Sequence, residues 1–199
     1  VMWVVDTNRQ SLDRVIPDQK IKKLMEFFEG SGWHVVEAKY GTLLHEAFAR
    51  DGGDALRRHI DDMPNERYQS LFALRGHHLR SAFLDGADNG VCRAVADVDD
   101  GHLAALVQNL GGHDLGVLLD AYRSCDAESD RPSVVFAYTV KGWGLPIAGD
   151  PLNHAALLSG AQIDQLRHDH GLSVDNELDR FPAGSAAAAV CNTAGDEVN

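Results

Sequence analysis

At 199 residues with 44% hydrophobic content, the chain has about the length of one domain and enough apolar residues for a sizeable core. Its formal charge of -12 argues against a nucleic-acid or anionic-membrane surface, because an acidic chain repels phosphates; a small anionic ligand needs a metal or a local cation to offset that charge. Three widely spaced cysteines, Cys92, Cys125 and Cys191, signal neither a zinc site nor a disulfide framework and read as reduced thiols in a cytoplasm, and no apolar run approaches the ~18 residues of a membrane span.

In chain order, β-rich runs alternate with amphipathic stretches, which predicts an α/β fold built on a doubly wound, mainly parallel sheet. The chain begins with Val rather than Met and is at once mid-strand, which reads as a fragment, and these first residues do not read as a secretory leader. VVDTNRQSLDRV, residues 4–15, runs from apolar residues directly into Asp6, Asn8 and Gln10. Such a strand end is where open α/β sheets place ligands, although Asp and Asn there also suit a turn bonded to its own backbone. IKKLMEFFEGSG places Ile21, Leu24, Phe27 and Phe28 on one helical stripe and stops at Gly30 and Gly32. WHVVEA, residues 33–38, reads as the next strand.

Residues 43–84 carry short helical patterns punctuated by Gly and Pro, too long for a simple crossover, and with the helix of DDGHLAALVQNL they predict a helical insertion over about 43–110. In GGHD, Asp114 reads as the N-cap of a following helix, which gives His113 a structural rather than a catalytic part. His77 and His78 are adjacent on a predicted helix and are expected to point apart, so joint metal binding is not expected. PSVVFAYTV, residues 132–140, is the strongest candidate for a central strand and ends in KGWG. His168 and His170 fall near a helix C-terminus, where imidazole favours the dipole. The Ala, Ser and Gly-rich tail has no clear periodicity and is expected to be loosely ordered.

The chemistry gathers at two strand ends: Asp6, Asn8 and Gln10 after the first, and Lys141, Asn153 and His154 after the last. In a doubly wound sheet both open onto one edge, so the groups are expected to converge. Side-chain and backbone oxygens suit Mg²⁺, which shares its octahedral shell with substrate phosphates, and Lys141 adds a point charge for the same phosphates. A solvated lysine after a strand remains the plainer reading of Lys141.

Five blocks, VVDTNRQSLD, KLMEFFEGSGWHVVEAKYG, NERYQSLFALRGHHLRSAF, LGGHDLGVLLDAY and VVFAYTVKGWGLPIAGDPLNHAALL, are co-linear over roughly residues 1–185. In order and spacing they resemble the homodimeric pyruvate dehydrogenase E1 component, a thiamine-diphosphate-dependent family of the transketolase-like superfamily. The resemblance implies a partial diphosphate-binding domain over 1–172, lacking its N-terminal GDG part, and a tail over 173–199 toward a pyrimidine-binding domain. It implies thiamine diphosphate and Mg²⁺ as cofactors, with Asn8 a metal ligand through its side-chain oxygen and Gln10 through its backbone carbonyl. Asn8, Leu12 and Lys141 would bind the cofactor, Leu12 as an aliphatic neighbour and Lys141 at the diphosphate; Asp6 stands where relatives often carry Asn. His154 matches the catalytic histidine of an active-site loop that assists acyl transfer.

The implied activity is oxidative decarboxylation of pyruvate or a related 2-oxo acid, with acyl transfer to the lipoyl domain of an E2 acyltransferase. The implied assembly is a homodimer, with neither nucleic acid nor membrane as partner. The loop before His154 is shorter than in bacterial pyruvate enzymes and lacks the lysines that flank its histidine, which also suits another acid such as 2-oxobutyrate. A transketolase-like enzyme and a non-catalytic remnant that keeps only the fold are the alternatives; the long helical insertion favours the E1 reading over transketolase.

Overall fold

The computed structural model describes residues 1–11, 14–15 and 21–198, and the chain separates into two compact units, Val1–Ala156 and Leu157–Asn199. In the first unit, strands β1 (Met2–Thr7) and β4 (His34–Ala38) flank β5 (Ser133–Tyr138), both parallel to it. The two-residue strands β2 (Gln10–Ser11) and β3 (Arg14–Val15) pair antiparallel in a separate ladder. With ten helices among the described residues, the protein is α/β. Residue Leu12, assigned beside the cofactor by resemblance, lies outside the described residues.

β5 is central because its apolar run is covered on both faces, as a parallel strand requires. Val134, Val135 and Phe136 are fully buried, each such side chain contributing about 1.5–3 kcal/mol of burial. Alternation sends Val135 toward helix α8 (Leu115–Ala127), where Ala121 and Cys125 pack with Ala38. Phe136 points the other way, onto Phe28 of helix α1 (Ile21–Gly30), ring centroids 5.9 Å apart. Phe28 also meets Trp33 at 5.1 Å and Trp3 at 6.0 Å. The stripe expected inward on α1 is only partly covered: Leu24 is 39% and Phe27 67% exposed, because the sheet they flank ends at β1, whose Trp3 and Val4 are also exposed.

Between β4 and α8 lies the expected helical insertion: α2 (Thr42–Phe48), α3 (Gly53–Asp61), α4 (Asn65–Leu71), α5 (Gly76–Leu84), α6 (Asn89–Ala94) and α7 (Asp100–Gln108). These short helices bury a core of their own that includes Leu44, Leu56, Tyr68, Phe83 and Leu103. Part of the acidic excess serves as caps, with Asp88, Asp99 and Asp114 accepting backbone N–H groups at the starts of α6, α7 and α8.

The second unit holds α9 (Gly160–Asp169), which starts with a capping box between Ser159 and Gln162, and α10 (Ala186–Val198). His168 lies in the last turn of α9 and His170 is its C-cap, as expected. The tail expected to be loosely ordered carries α10 instead, because its run of alanines has high intrinsic helix propensity without any amphipathic pattern. No helix among the described residues is long and apolar enough to cross a membrane.

Candidate functional site at the carboxyl edge of the sheet

The parallel register puts the ends of β1 and β5 side by side, Thr7 against Tyr138, so the segments leaving both strands open on one edge. Thr139 donates its hydroxyl to Asp6 across that edge, joining residues 133 positions apart. On the β1 side, Asn8 Oδ1 accepts the backbone N–H of Gln10 at 2.9 Å, and Asn8 Nδ2 donates to Asp6 at 3.0 Å. This is an Asx turn, the bland reading of the sequence, yet it fixes two oxygen-bearing side chains at the strand end.

Gln10 is buried and both polar atoms of its side chain are hydrogen-bonded. Its Nε2 donates to the Asp150 carbonyl at 2.9 Å, and its Oε1 accepts from Gln69 Nε2 at 3.1 Å. Gln69 in turn donates to the Gly149 carbonyl at 2.8 Å. The two glutamines therefore tie the β1 end to the loop after β5. These bonds use the Gln10 side-chain oxygen and nitrogen within the chain itself.

After β5, Lys141 Nζ lies 2.9 Å from His154 Nδ1. An ammonium can only donate, so Nδ1 is the acceptor and the ring proton sits on Nε2. Asn153 holds the two together: its amide donates to the carbonyls of Lys141 at 3.0 Å and Ile147 at 3.1 Å. Its Oδ1 is buried without a hydrogen-bond partner among the described residues. The two strand ends are thus tied together through Gln10 and Gln69, which bond the loop carbonyls of Asp150 and Gly149, while Asn153 braces that loop from within.

His113 belongs to the same edge, and reading GGHD as a helix start missed this. Asp114 does cap α8, its Oδ1 accepting from Gly116 at 3.0 Å and Val117 at 3.1 Å, and its Oδ2 accepts from Thr42 at 2.7 Å. These backbone bonds, led by Thr42, hold its carboxyl below the ordinary value. The glycines serve close packing: a Cβ on Gly111 would sit 2.5 Å from the Ala38 carbonyl, and one on Gly112 2.5 Å from the Tyr138 carbonyl oxygen. Their pairing just before a histidine was the available signal. Wedged between the ends of β4 and β5, they bring His113 Nε2 to within 2.7 Å of the Val140 N–H, which it accepts. The imidazole stacks on Trp143, centroids 4.5 Å apart and planes 11° from parallel.

Burial holds the His113 imidazole below its ordinary value of 6.5, against the opposing pull of the Asp6 carboxylate. A depressed value means the fold binds fewer protons on His113 than the unfolded chain does once the pH is below 6.5. Stability conferred by the neutral ring is therefore present above 6.5 and is lost as pH falls toward the folded value. Urea midpoints measured over roughly pH 5–7 should fall with acidification, and His113→Gln should flatten that fall.

His77 and His78 do not point apart as expected; their rings lie 3.9 Å apart, 39° from parallel. They occupy the first turn of α5, where no preceding turn restricts side-chain rotamers. No group of three or more His, Cys, Asp or Glu among the described residues is arranged to hold a metal.

No protein-family model matches the chain. It is similar to the protein named pyruvate dehydrogenase E1 component from Corynebacterium glutamicum, with 29% identity over 186 residues, 90% of this chain and 20% of that protein. The protein of the same name from Escherichia coli K12 is 28% identical over 170 residues, 84% of this chain and 19% of that one. The Mycolicibacterium smegmatis counterpart is 34% identical over 149 residues, 72% and 15% respectively. The chain spans about a fifth of the length of the first of these curated relatives.

Proposed function

The chain is homologous to pyruvate dehydrogenase E1 components, and from that premise we propose that it forms part of a thiamine-diphosphate-dependent 2-oxo acid decarboxylase that passes the acyl unit to a lipoyl group. The observation that carries this reading is the shared edge: Asn8 after β1 and the Lys141–His154 pair after β5 are linked through Gln10 and the loop carbonyls. The donors assigned at the β1 end, the Asn8 side-chain oxygen and the Gln10 carbonyl, are hard oxygens of the kind that suits Mg²⁺. Asn8 and Gln10 would hold the ion and Lys141 the diphosphate.

When bound, thiamine diphosphate supplies the electron sink for the carbanion left by departing CO₂, and Mg²⁺ offsets the diphosphate charge. The residues of this chain bind and orient. Lys141 brings a cation to an edge of a chain whose net charge of -12 otherwise repels phosphate. His154, with its proton on Nε2, would offer that N–H to the acyl oxygen, and a proton passed on from Nε2 would be balanced by one that Lys141 gives to Nδ1. His113, neutral and stacked on Trp143, anchors the Val140 amide and thereby sets the direction in which Lys141 leaves β5.

Isothermal titration of thiamine diphosphate, with and without Mg²⁺, tests the reading. Binding is expected only with the metal and should weaken at least about tenfold in Asn8→Ala, the scale seen when a metal shell loses a partner. Binding that ignores Mg²⁺, or an Asn8→Ala protein that binds as well as the parent, would leave the fold without the chemistry.

A further inference from the structure

A cleft of about 330 Å³ opens at the carboxyl edge on ground that Lys141 does not line. Each parallel strand contributes to it: Arg9 lies just after β1, Lys39 just after β4, and Tyr138 closes β5. Lys22 and Lys23 of α1 and Asp61 of α3 complete its polar lining. Four cations therefore face one carboxylate, in a chain of net charge -12.

The carboxylate is already matched. Asp61 Oδ1 takes the Lys39 ammonium and the Tyr40 hydroxyl. Burial works against its ionisation, but these two bonds outweigh that and hold its carboxyl below the ordinary value. Arg9, Lys22 and Lys23 take part in no salt bridge among the described residues. Glu37, which accepts from Tyr138 at 3.0 Å, is outside the lining.

Arg9 is held in place. Its guanidinium lies 4.0 Å from the centroid of the fully buried Tyr68 ring, and its Nε donates to Asn65 Oδ1 at 3.1 Å. A stacked, hydrogen-bonded guanidinium keeps its outer N–H fork oriented for an oxyanion. Lys22 and Lys23 lie in the first turn of α1, with no acidic residue beside them there. The helix dipole disfavours cations at that end, so the macrodipole does not account for the pair. The three strand ends, the oriented arginine and the two lysines concentrate positive potential where open parallel sheets bind ligands.

We propose that this cleft is a second anion site, taking a small phosphate-bearing metabolite that the Arg9 fork and the Lys22, Lys23 and Lys39 ammonium groups recognise. At about 330 Å³ it is at the small end of ligand pockets, which suits a compact metabolite rather than a dinucleotide.

The probe is inorganic phosphate titrated into the whole chain at low ionic strength, read from the backbone amide NMR shifts of Arg9, Lys39 and Tyr138. Saturable shifts at those three amides are expected. The double variant Lys22→Glu, Lys23→Glu, on exposed positions of α1, should weaken them about tenfold, the scale of losing charge-assisted contacts. Arg9→Gln provides a second route should the charge reversal perturb α1, and should weaken binding likewise. Lys141→Ala should leave the shifts intact, which separates this site from the diphosphate reading above. The proposal is overturned if the shifts fail to saturate, if they vanish with Lys141→Ala, or if neither Arg9→Gln nor the lysine pair alters them.

Discussion

Phe83→Ala is expected to lower the free energy of unfolding by about 3–5 kcal/mol, the cost of deleting a large buried ring whose cavity cannot collapse. Phe83 is fully buried within the helical core, its ring edge-on to His59 at 5.3 Å, while His59 Nε2 meets the Phe83 carbonyl at 2.7 Å. A loss of that size is a large share of the roughly 5–15 kcal/mol that stabilises a typical domain. Urea denaturation monitored by far-UV circular dichroism would show it as a fall in midpoint. Phe27→Ala is the comparison: with Phe27 67% exposed, a change within about 0.5 kcal/mol is expected. Equal losses at the two positions would mean that the helices do not pack as described.

Lys141→Met is expected to weaken thiamine diphosphate binding about ten- to a hundredfold at fixed Mg²⁺, since a hydrogen bond to a charged group contributes about 1.5–3 kcal/mol. Methionine keeps the stem and removes the ammonium that donates to His154 Nδ1. The fold should be unaffected, because the Lys141 backbone carbonyl, not its side chain, is what the Asn153 amide grips. Titration calorimetry beside an unfolding curve separates the two effects. Unchanged affinity with an unchanged fold would remove Lys141 from the site and return it to a solvated lysine after a strand.

Phe27 and Phe28 show how far periodicity reaches. Both lie on the stripe predicted to face inward, and only the sheet decides between them: Phe28 meets Phe136, whereas Phe27 stands in solvent. Glutamine at position 10 poses the same problem in the site. Spacing marks its oxygen as a ligand candidate, but its side chain is spent on the Asp150 carbonyl and on Gln69, a partner 59 positions away. The GGHD segment was half readable, Asp114 as a cap and not His113 as a neighbour of Val140.

By itself the sequence determined what depends on near neighbours: the helix and strand periods, the Asp114 cap, the doubly covered strand at 133–138, and the co-linear blocks that resemble E1 components. Those features arise from backbone geometry and side-chain bonding within a few residues. The tertiary structure alone decided which apolar faces are covered, which polar side chains are used in binding the chain to itself, and that Arg9, Lys22, Lys23 and Lys39 ring one cleft. The physical reason is that parallel pairing joins β1 to a strand more than a hundred residues away, and no local pattern encodes what such a join brings together.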